Sequence, residues 1–324
     1  MSLPRVDLLI VGAGPAGLSC AIEAKKAGLS VRVLDQGGLV DAIRRFPVNL
    51  VWFSTPELLE IGGIPFPIAG VRPTRVESIA YYQRVASHYA LDVVPHRRVE
   101  AVEPVADGFR IVAAGGELHM ARFVVVATGY MDTPNRLGVE GEDIPTVLHS
   151  YDEPFRYYGC DVAVVGGRNS AVEAALDLYR HGARVTLVHR GGALSQGVKY
   201  WILPDIENRL KAGQIRGQFT STVTRFRRGV VEVTSPGGQG MVKADFAFVL
   251  IGFRPDTSLL LRFGLRVDPE TLGPVHDPET FETSRPGMFV AGSVVAGRFN
   301  NRIFVENGRL HGAAIVSALL RKTR

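Results

Sequence analysis

An α/β fold is expected for this chain, with one βαβ unit at the start and a second near the middle. Three observations lead there. Residues 6–11 and 162–165 are short apolar runs of the kind that form strands buried on both faces. Each run is followed by a glycine-rich turn, Gly12-Ala13-Gly14-Pro15-Ala16-Gly17 in the first case and Gly166-Gly167-Arg168-Asn169-Ser170-Ala171 in the second. Each turn opens a helical stretch, residues 18–27 and 172–181. Each stretch stops at a glycine, Gly28 or Gly182, and leads into another apolar strand, residues 31–34 or 185–188. The two units lie too far apart for a solenoid repeat and fit two copies of one domain type.

The other elements follow in order. Residues 91–122 alternate short apolar runs with turns, the pattern of antiparallel strands. Residues 123–129 and 245–252 are buried strands ending in tight glycine turns, and residues 288–292 form another. A last helix is expected over roughly 303–321. Prolines near Pro134 and Pro255 mark candidate crossings between domains. The first domain is therefore expected to be split in sequence, with the second inserted into it. Between the first two strands and the antiparallel run, residues 46–66 are rich in aromatics and proline, either as a pocket wall or as a packed loop. Thr55 before Pro56 reads as a helix N-cap.

Composition narrows the function. A length of 324 residues suits about two domains. With 46% hydrophobic and 21% charged residues the chain is ordinary globular protein, which excludes an intrinsically disordered one. The net charge of +5 is small for this length and points to no nucleic-acid partner. The basic run Arg225-Phe226-Arg227-Arg228 reads as a solvated turn. Two cysteines exclude a disulfide framework and a four-thiolate zinc site, and suit a reducing compartment, the cytoplasm. No signal peptide is expected at the start, and no apolar stretch reaches the ~18 residues of a membrane span. His149, His189 and His311 stand isolated, and no metal-ligand spacing exists, so no metal is expected.

The glycine turns carry the chemistry. A tight turn lets backbone approach a dinucleotide pyrophosphate and aims helix N–H groups at its charge. Gly12, Gly14 and Gly17 have the full spacing, and Asp35 follows where an acid binds ribose hydroxyls. In the second turn Arg168 replaces the middle glycine and Ala171 the last. After the next strand stands His189-Arg190 instead of an acid. A cation there suits a ribose 2′-phosphate, and so NADPH over NADH, unless Arg190 is simply a surface residue. One site specific for a nicotinamide nucleotide implies that the other holds FAD.

The order Gly12-x-Gly14-x-x-Gly17, Ala127-Thr128-Gly129, Gly166 to Ala171, Ile251-Gly252-Phe253-Arg254-Pro255 and Ala291-Gly292 resembles the two-dinucleotide-domain flavoproteins of the thioredoxin reductase type. Within them, residues 53–62, 198–209 and 303–312 resemble the bacillithiol disulfide reductase (YpdA-like) family. The resemblance implies two Rossmann-like domains of three-layer β-β-α type, an FAD domain over 1–130 and 253–324 with an NADPH domain over 131–252 inserted, and a homodimer. It implies an NADPH-dependent, FAD-containing reductase acting on a low-molecular-weight disulfide. The FAD contacts expected are Gly12, Gly14, Pro15, Ala16 and Gly17, then Asp35 and Gln36, Thr128 and Gly129, Gly292 and Ser293, and Ile303 and Phe304. Those expected for NADPH are Gly166, Gly167, Arg168, Asn169, Ser170, His189, Arg190 and Gly252.

Thiol chemistry is where the sequence departs from these relatives. The stretch that holds a C-x-x-C dithiol in thioredoxin reductases reads His149-Ser150-Tyr151-Asp152-Glu153-Pro154 here. The position of a thiol in the first turn of bacillithiol reductases is Ala16. Cys20, one helical turn on, is the sole nearby substitute, and it is also the kind of residue that packs in a core. Where relatives carry Gly-Asp after the last strand, this chain has Gly292-Ser293. Asn300, Asn301 and Glu306 are open between helix caps and contacts to flavin or substrate. The catalytic residue is left unassigned. A second reading keeps the cofactors but passes electrons to a carrier protein, as in ferredoxin or flavodoxin NADP reductases.

Overall fold

The computed structural model describes residues 4–299 and 301–323, so Asn300 lies outside the described residues. The chain forms two compact units, Met1–Thr133 with Phe253–Arg324, and Pro134–Gly252.

The first unit is built on a sheet in which Val31–Leu34, Arg5–Val11, Leu118–Val126 and Met288–Val290 run parallel, each paired to the next. Side chains alternate along the strands. Leu8 and Ile10 join Val125 and Phe289 beneath the helices Pro15–Lys26 and His311–Thr323, while Leu9 and Val11 join Val124, Val126 and Val290 on the other face. That second face is covered by residues of Val99–Val105 and Gly108–Ala113, including Val102, Phe109 and Ile111. Both faces of the central strands are thus buried, each large apolar side chain contributing about 1.5–3 kcal/mol.

The second unit repeats the plan. Arg184–Val188, Asp161–Val165, Phe246–Val249 and Val147–Leu148 form a parallel sheet, with Arg216–Gln218 at one edge. The helix Asn169–Arg180 buries Ala171, Val172, Ala175 and Leu178 against Val162 and Val164. A three-stranded antiparallel sheet, Thr222–Arg227, Gly229–Ser235 and Gly238–Ala244, packs Val223, Phe226 and Val231 against Ala163 and Val165. Helix, parallel sheet and antiparallel strands make the three layers of the expected fold.

Three expectations are corrected. The basic run at 225–228 belongs to a strand up to Arg227, because Phe226 points into the core at 3% exposure, and only Arg228 turns the chain. Val93–Val94 pairs parallel to Val31–Leu34, so it is not part of the antiparallel set. The last helix is two, Val305–Gly308 and His311–Thr323. Between them Arg309 and Leu310 form a turn, in which Leu310 N–H bonds three residues back to the Asn307 carbonyl at 3.1 Å and the Arg309 carbonyl accepts from the Ser19 hydroxyl at 2.5 Å.

Candidate functional site

In the first unit the carboxyl ends of four parallel strands stand in a row. Asp35 follows Val31–Leu34, Gly12 follows Arg5–Val11, Ala127 follows Leu118–Val126, and Ala291 follows Met288–Val290. Ligands of open α/β sheets bind at such edges. A cleft opens there, about 1430 Å³ with its mouth and the adjoining open solvent included.

Backbone constraints shape the first turn. Gly12 has φ +114°, and a Cβ on it would stand 2.4 Å from the Ala127 carbonyl oxygen. A Cβ on Gly17 would stand 2.0 Å from the Gly12 carbonyl oxygen, which forces glycine where the helix crosses the strand end. Gly14 is different: its Cβ would meet nothing within 4 Å. It caps the helix Pro15–Lys26 without a side-chain partner, so the first N–H groups of that helix stay available to an anion.

Asp35 braces the turn. Its Oδ2 accepts from Ala13 N–H at 2.6 Å and its Oδ1 from Gly37 N–H at 2.8 Å. Burial pushes its carboxyl above the ordinary value, against those two bonds. Each oxygen keeps a lone pair for a ribose hydroxyl. Further along the row, Gly292 N–H donates to His311 Nδ1 at 3.2 Å, and the His311 ring stacks on Phe281 at 4.1 Å. Burial, helped by the nearby His276, pushes His311 down to about 4, so its Nδ1 is a neutral acceptor. The Ser293 hydroxyl lies 3.6 Å from where a Gly129 Cβ would stand, which joins the second and third motifs.

Of the residues expected to hold FAD, all but Gly17 line this one cleft: Gly12, Gly14, Pro15 and Ala16, Asp35 and Gln36, Thr128 and Gly129, Gly292 and Ser293, and Ile303 and Phe304. Gly17 acts beneath it, in helix packing. The cradle of open backbone at Gly14, the uncapped helix N–H groups and the Asp35 carboxylate fits a flavin adenine dinucleotide. Sequence reasoning missed Arg45, whose guanidinium bridges Asp41 at 3.0 Å and Asp132 at 2.7 Å within the cleft. No periodic pattern marks it, since all three residues come from loops or a single helical turn. The aromatic stretch 46–66 serves both purposes: Phe46, Trp52 and Phe53 line the cleft, while Leu59, Ile61 and Phe66 are core. Thr55 does cap Pro56–Leu59, without a side-chain bond to the helix backbone.

The second unit holds the other turn. Gly166 has φ +149°, and a Cβ there would stand 2.6 Å from the Leu250 carbonyl oxygen. The His189 ring fills the space beside Gly167, 2.4 Å from where a Cβ would be. Burial, then the Arg190 charge, lowers the His189 pKa, so the cation of the pair is Arg190. Arg168, Ser170 and Arg190 are exposed, and neither arginine has an ion-pair partner among the described residues. Asn169 is spent on the chain itself: its amide donates to the Gly197 carbonyl at 3.0 Å and accepts from Lys199 N–H at 2.8 Å. Gly252, at φ +97°, receives Asn135 N–H on its carbonyl at 2.9 Å.

The two thiols are placed plainly. Cys20 is fully buried between the helices, 0% exposed, and burial pushes its thiol up to about 12. A thiol so placed is neither ionised nor reachable, which suits packing in the core. Cys160 sits half-buried at the start of a strand in the second unit. Among the described residues no cluster of His, Cys, Asp and Glu is arranged to hold a metal ion, and no helix is long and apolar enough to cross a membrane.

Residues 9–292 match the model of the pyridine nucleotide-disulphide oxidoreductase family. The chain is 37% identical over 321 residues to the bacilliredoxin reductase Bdr of Bacillus subtilis, covering 97% of each chain. The chain belongs to this oxidoreductase family and, within it, to the Bdr (YpdA) group. The bacillithiol disulfide reductase Bdr from Bacillus cereus superposes with a TM-score of 0.95 at 36% identity, over 98% of this chain and 100% of that one. The Staphylococcus aureus Bdr gives 0.96 at 34% identity, over 99% and 100%. The family resemblance drawn from residues 53–62, 198–209 and 303–312 is confirmed, and the chain is an oxidoreductase.

Proposed function

We propose that this protein is an NADPH-dependent, FAD-containing reductase of a low-molecular-weight disulfide such as bacillithiol disulfide, working without a dithiol. One observation carries the reading: the cleft of the first unit gathers dinucleotide contacts from four strand ends and, among its described lining residues, has no thiol. Membership of the Bdr group supports the substrate class. The overall reaction balances as RSSR + NADPH + H⁺ → 2 RSH + NADP⁺.

Met1–Thr133 with Phe253–Arg324 is the FAD unit and Pro134–Gly252 the NADPH unit. Gly14 and the start of the Pro15–Lys26 helix receive the pyrophosphate, and Asp35 receives the adenosine ribose. His311 holds the Gly292 backbone in place through its neutral Nδ1. Trp52 and Phe53 give the cleft an apolar wall. Bound FAD supplies the two-electron chemistry between nicotinamide and disulfide. In the second unit, Arg168 and Arg190, without an ion-pair partner among the described residues, favour a 2′-phosphate, and therefore NADPH. The two free cysteines support a cytoplasmic enzyme, and the family resemblance supports a homodimer.

The test is steady-state turnover with NADPH and with NADH on bacillithiol disulfide, a bacilliredoxin mixed disulfide and ferredoxin, in the wild type and in the Cys20→Ala/Cys160→Ala double variant. NADPH should be strongly preferred, and the double variant should keep disulfide reduction at full FAD content. Equal use of both nucleotides would remove the 2′-phosphate assignment. Loss of disulfide reduction in the double variant would restore Cys20 as a relay. Reduction of ferredoxin alone would make the enzyme a carrier-protein reductase.

A further inference from the structure

The cleft is lined by four carboxylates, and three of them are spoken for. Asp35 accepts two backbone N–H groups, while Asp41 and Asp132 pair with Arg45. Glu306 differs. One of its oxygens is held by the Ser54 hydroxyl, and the other, Oε2, is buried with no hydrogen-bond partner among the described residues. A buried acceptor left bare is costly unless something satisfies it. The backbone around it is fixed: Arg309 Nε donates to the Glu306 carbonyl at 3.3 Å, and Arg309 Nη1 to the Glu57 carbonyl at 2.8 Å and to the Glu60 carbonyl. Glu306 and Ser54 are therefore brought together and held at the cleft from opposite parts of the chain.

Their place in the row of strand ends matters. Asp35 stands at one end, and Gly292 at the other, three strand spacings or ~14 Å away. Glu306 lies on the short helix Val305–Gly308, and Gly308 packs so closely on Gly292 that its Cβ would stand 3.3 Å from the Gly292 Cα. With the adenosine ribose at Asp35 and the pyrophosphate at Gly12 to Gly14, the remainder of the dinucleotide runs toward Glu306. The flavin ring in its oxidised form carries a single N–H, on its pyrimidine ring, and its other polar ring atoms are acceptors. A carboxylate, which only accepts, has that one group to pair with on the ring.

We propose that Glu306, steadied by Ser54, accepts the hydrogen bond of the flavin ring N–H and holds the flavin midpoint potential down by its negative charge. Reduction adds negative charge to the ring, and a like charge at hydrogen-bond distance opposes it. This rests on the FAD reading above. Glu306→Gln keeps an accepting oxygen of the same reach and removes the charge. It should keep stoichiometric FAD and move the midpoint, measured by anaerobic dye-coupled titration, to a more positive potential. Ser54→Ala, which loosens Glu306, should move it the same way by less. Glu306→Ala should also weaken FAD binding about tenfold to a hundredfold, read as the dissociation constant for FAD added to apoprotein. An unchanged midpoint in Glu306→Gln at full FAD loading overturns the proposal. Should Glu306→Gln not fold or not load, an unchanged midpoint in Ser54→Ala overturns it. A wild-type protein that takes up no FAD overturns the parent reading itself, and is seen before any variant is compared.

Discussion

Gly14 and Gly17 sit in one turn and answer to different constraints. At Gly17 the chain itself forbids a side chain, because its Cβ would stand 2.0 Å from the Gly12 carbonyl oxygen. At Gly14 the backbone is ordinary, φ −74° and ψ 174°, and the space is open. Gly17→Ala is therefore expected to lower the unfolding free energy by about 1–3 kcal/mol, through overpacking. Gly14→Leu is expected to fold with nearly wild-type stability as apoprotein, and to purify without flavin colour. Urea unfolding of both apoproteins, with FAD per chain from the visible spectrum, separates the two effects. A Gly14→Leu protein that is yellow at full occupancy would move the pyrophosphate elsewhere. These glycines and Asp35 were legible in the sequence because one turn geometry demands them at set spacings. Arg45, Asp41 and Asp132 were not, since their meeting depends on loops that no local pattern aligns.

Where two elements meet, His311 shows how a long-range contact edits local structure. From the sequence, one helix is expected over roughly residues 303–321. At the break after Gly308 the Leu310 N–H bonds three residues back to the Asn307 carbonyl, and Ser19 donates to the Arg309 carbonyl across a separation of 290 residues. The new helix then begins at His311, whose neutral ring anchors Gly292. This anchoring has a pH signature. In the unfolded chain the imidazole binds a proton below ~6.5, and in the folded protein only below about 4. The unfolded state therefore holds more protons between these values, so stability is complete above pH ~6.5 and falls as the pH drops toward 4. From pH 7 to pH 5 His311 should account for a loss of roughly 2 kcal/mol. His311→Asn should be less stable at pH 7 yet lose less between pH 7 and pH 5, as measured by urea unfolding. An identical slope in the variant would show that this imidazole does not govern the acid side.

At the scale of the whole molecule, each unit has its own sheet and its own cores, so each nucleotide is expected to stabilise one of them. A ligand at a hundred times its dissociation constant adds about 2.7 kcal/mol. Amide exchange through unfolding should slow about a hundredfold in Asp161–Val165, Arg184–Val188 and Phe246–Val249 when NADP⁺ is added, with Arg5–Val11 unaffected. FAD added to apoprotein should do the converse. Uniform slowing by either nucleotide would dissolve the assignment of one cofactor to each unit. The repeated βαβ grammar was readable in the sequence because both units obey the same turn chemistry. The three-stranded sheet of the second unit was not, because residues 222–244 carry many charges and glycines on the faces turned to solvent. The interrupted first unit has a further consequence, for the order of events during synthesis. When residue 252 leaves the ribosome, the second unit possesses every strand of its sheets and can close. The first unit, begun earlier, still lacks Met288–Val290 and the helix His311–Thr323 that covers Cys20 and Ala21. At 5–20 residues per second it waits roughly 4–14 s for them. Through that interval the unfinished first unit, apolar strand Arg5–Val11 included, is the part most in need of a chaperone.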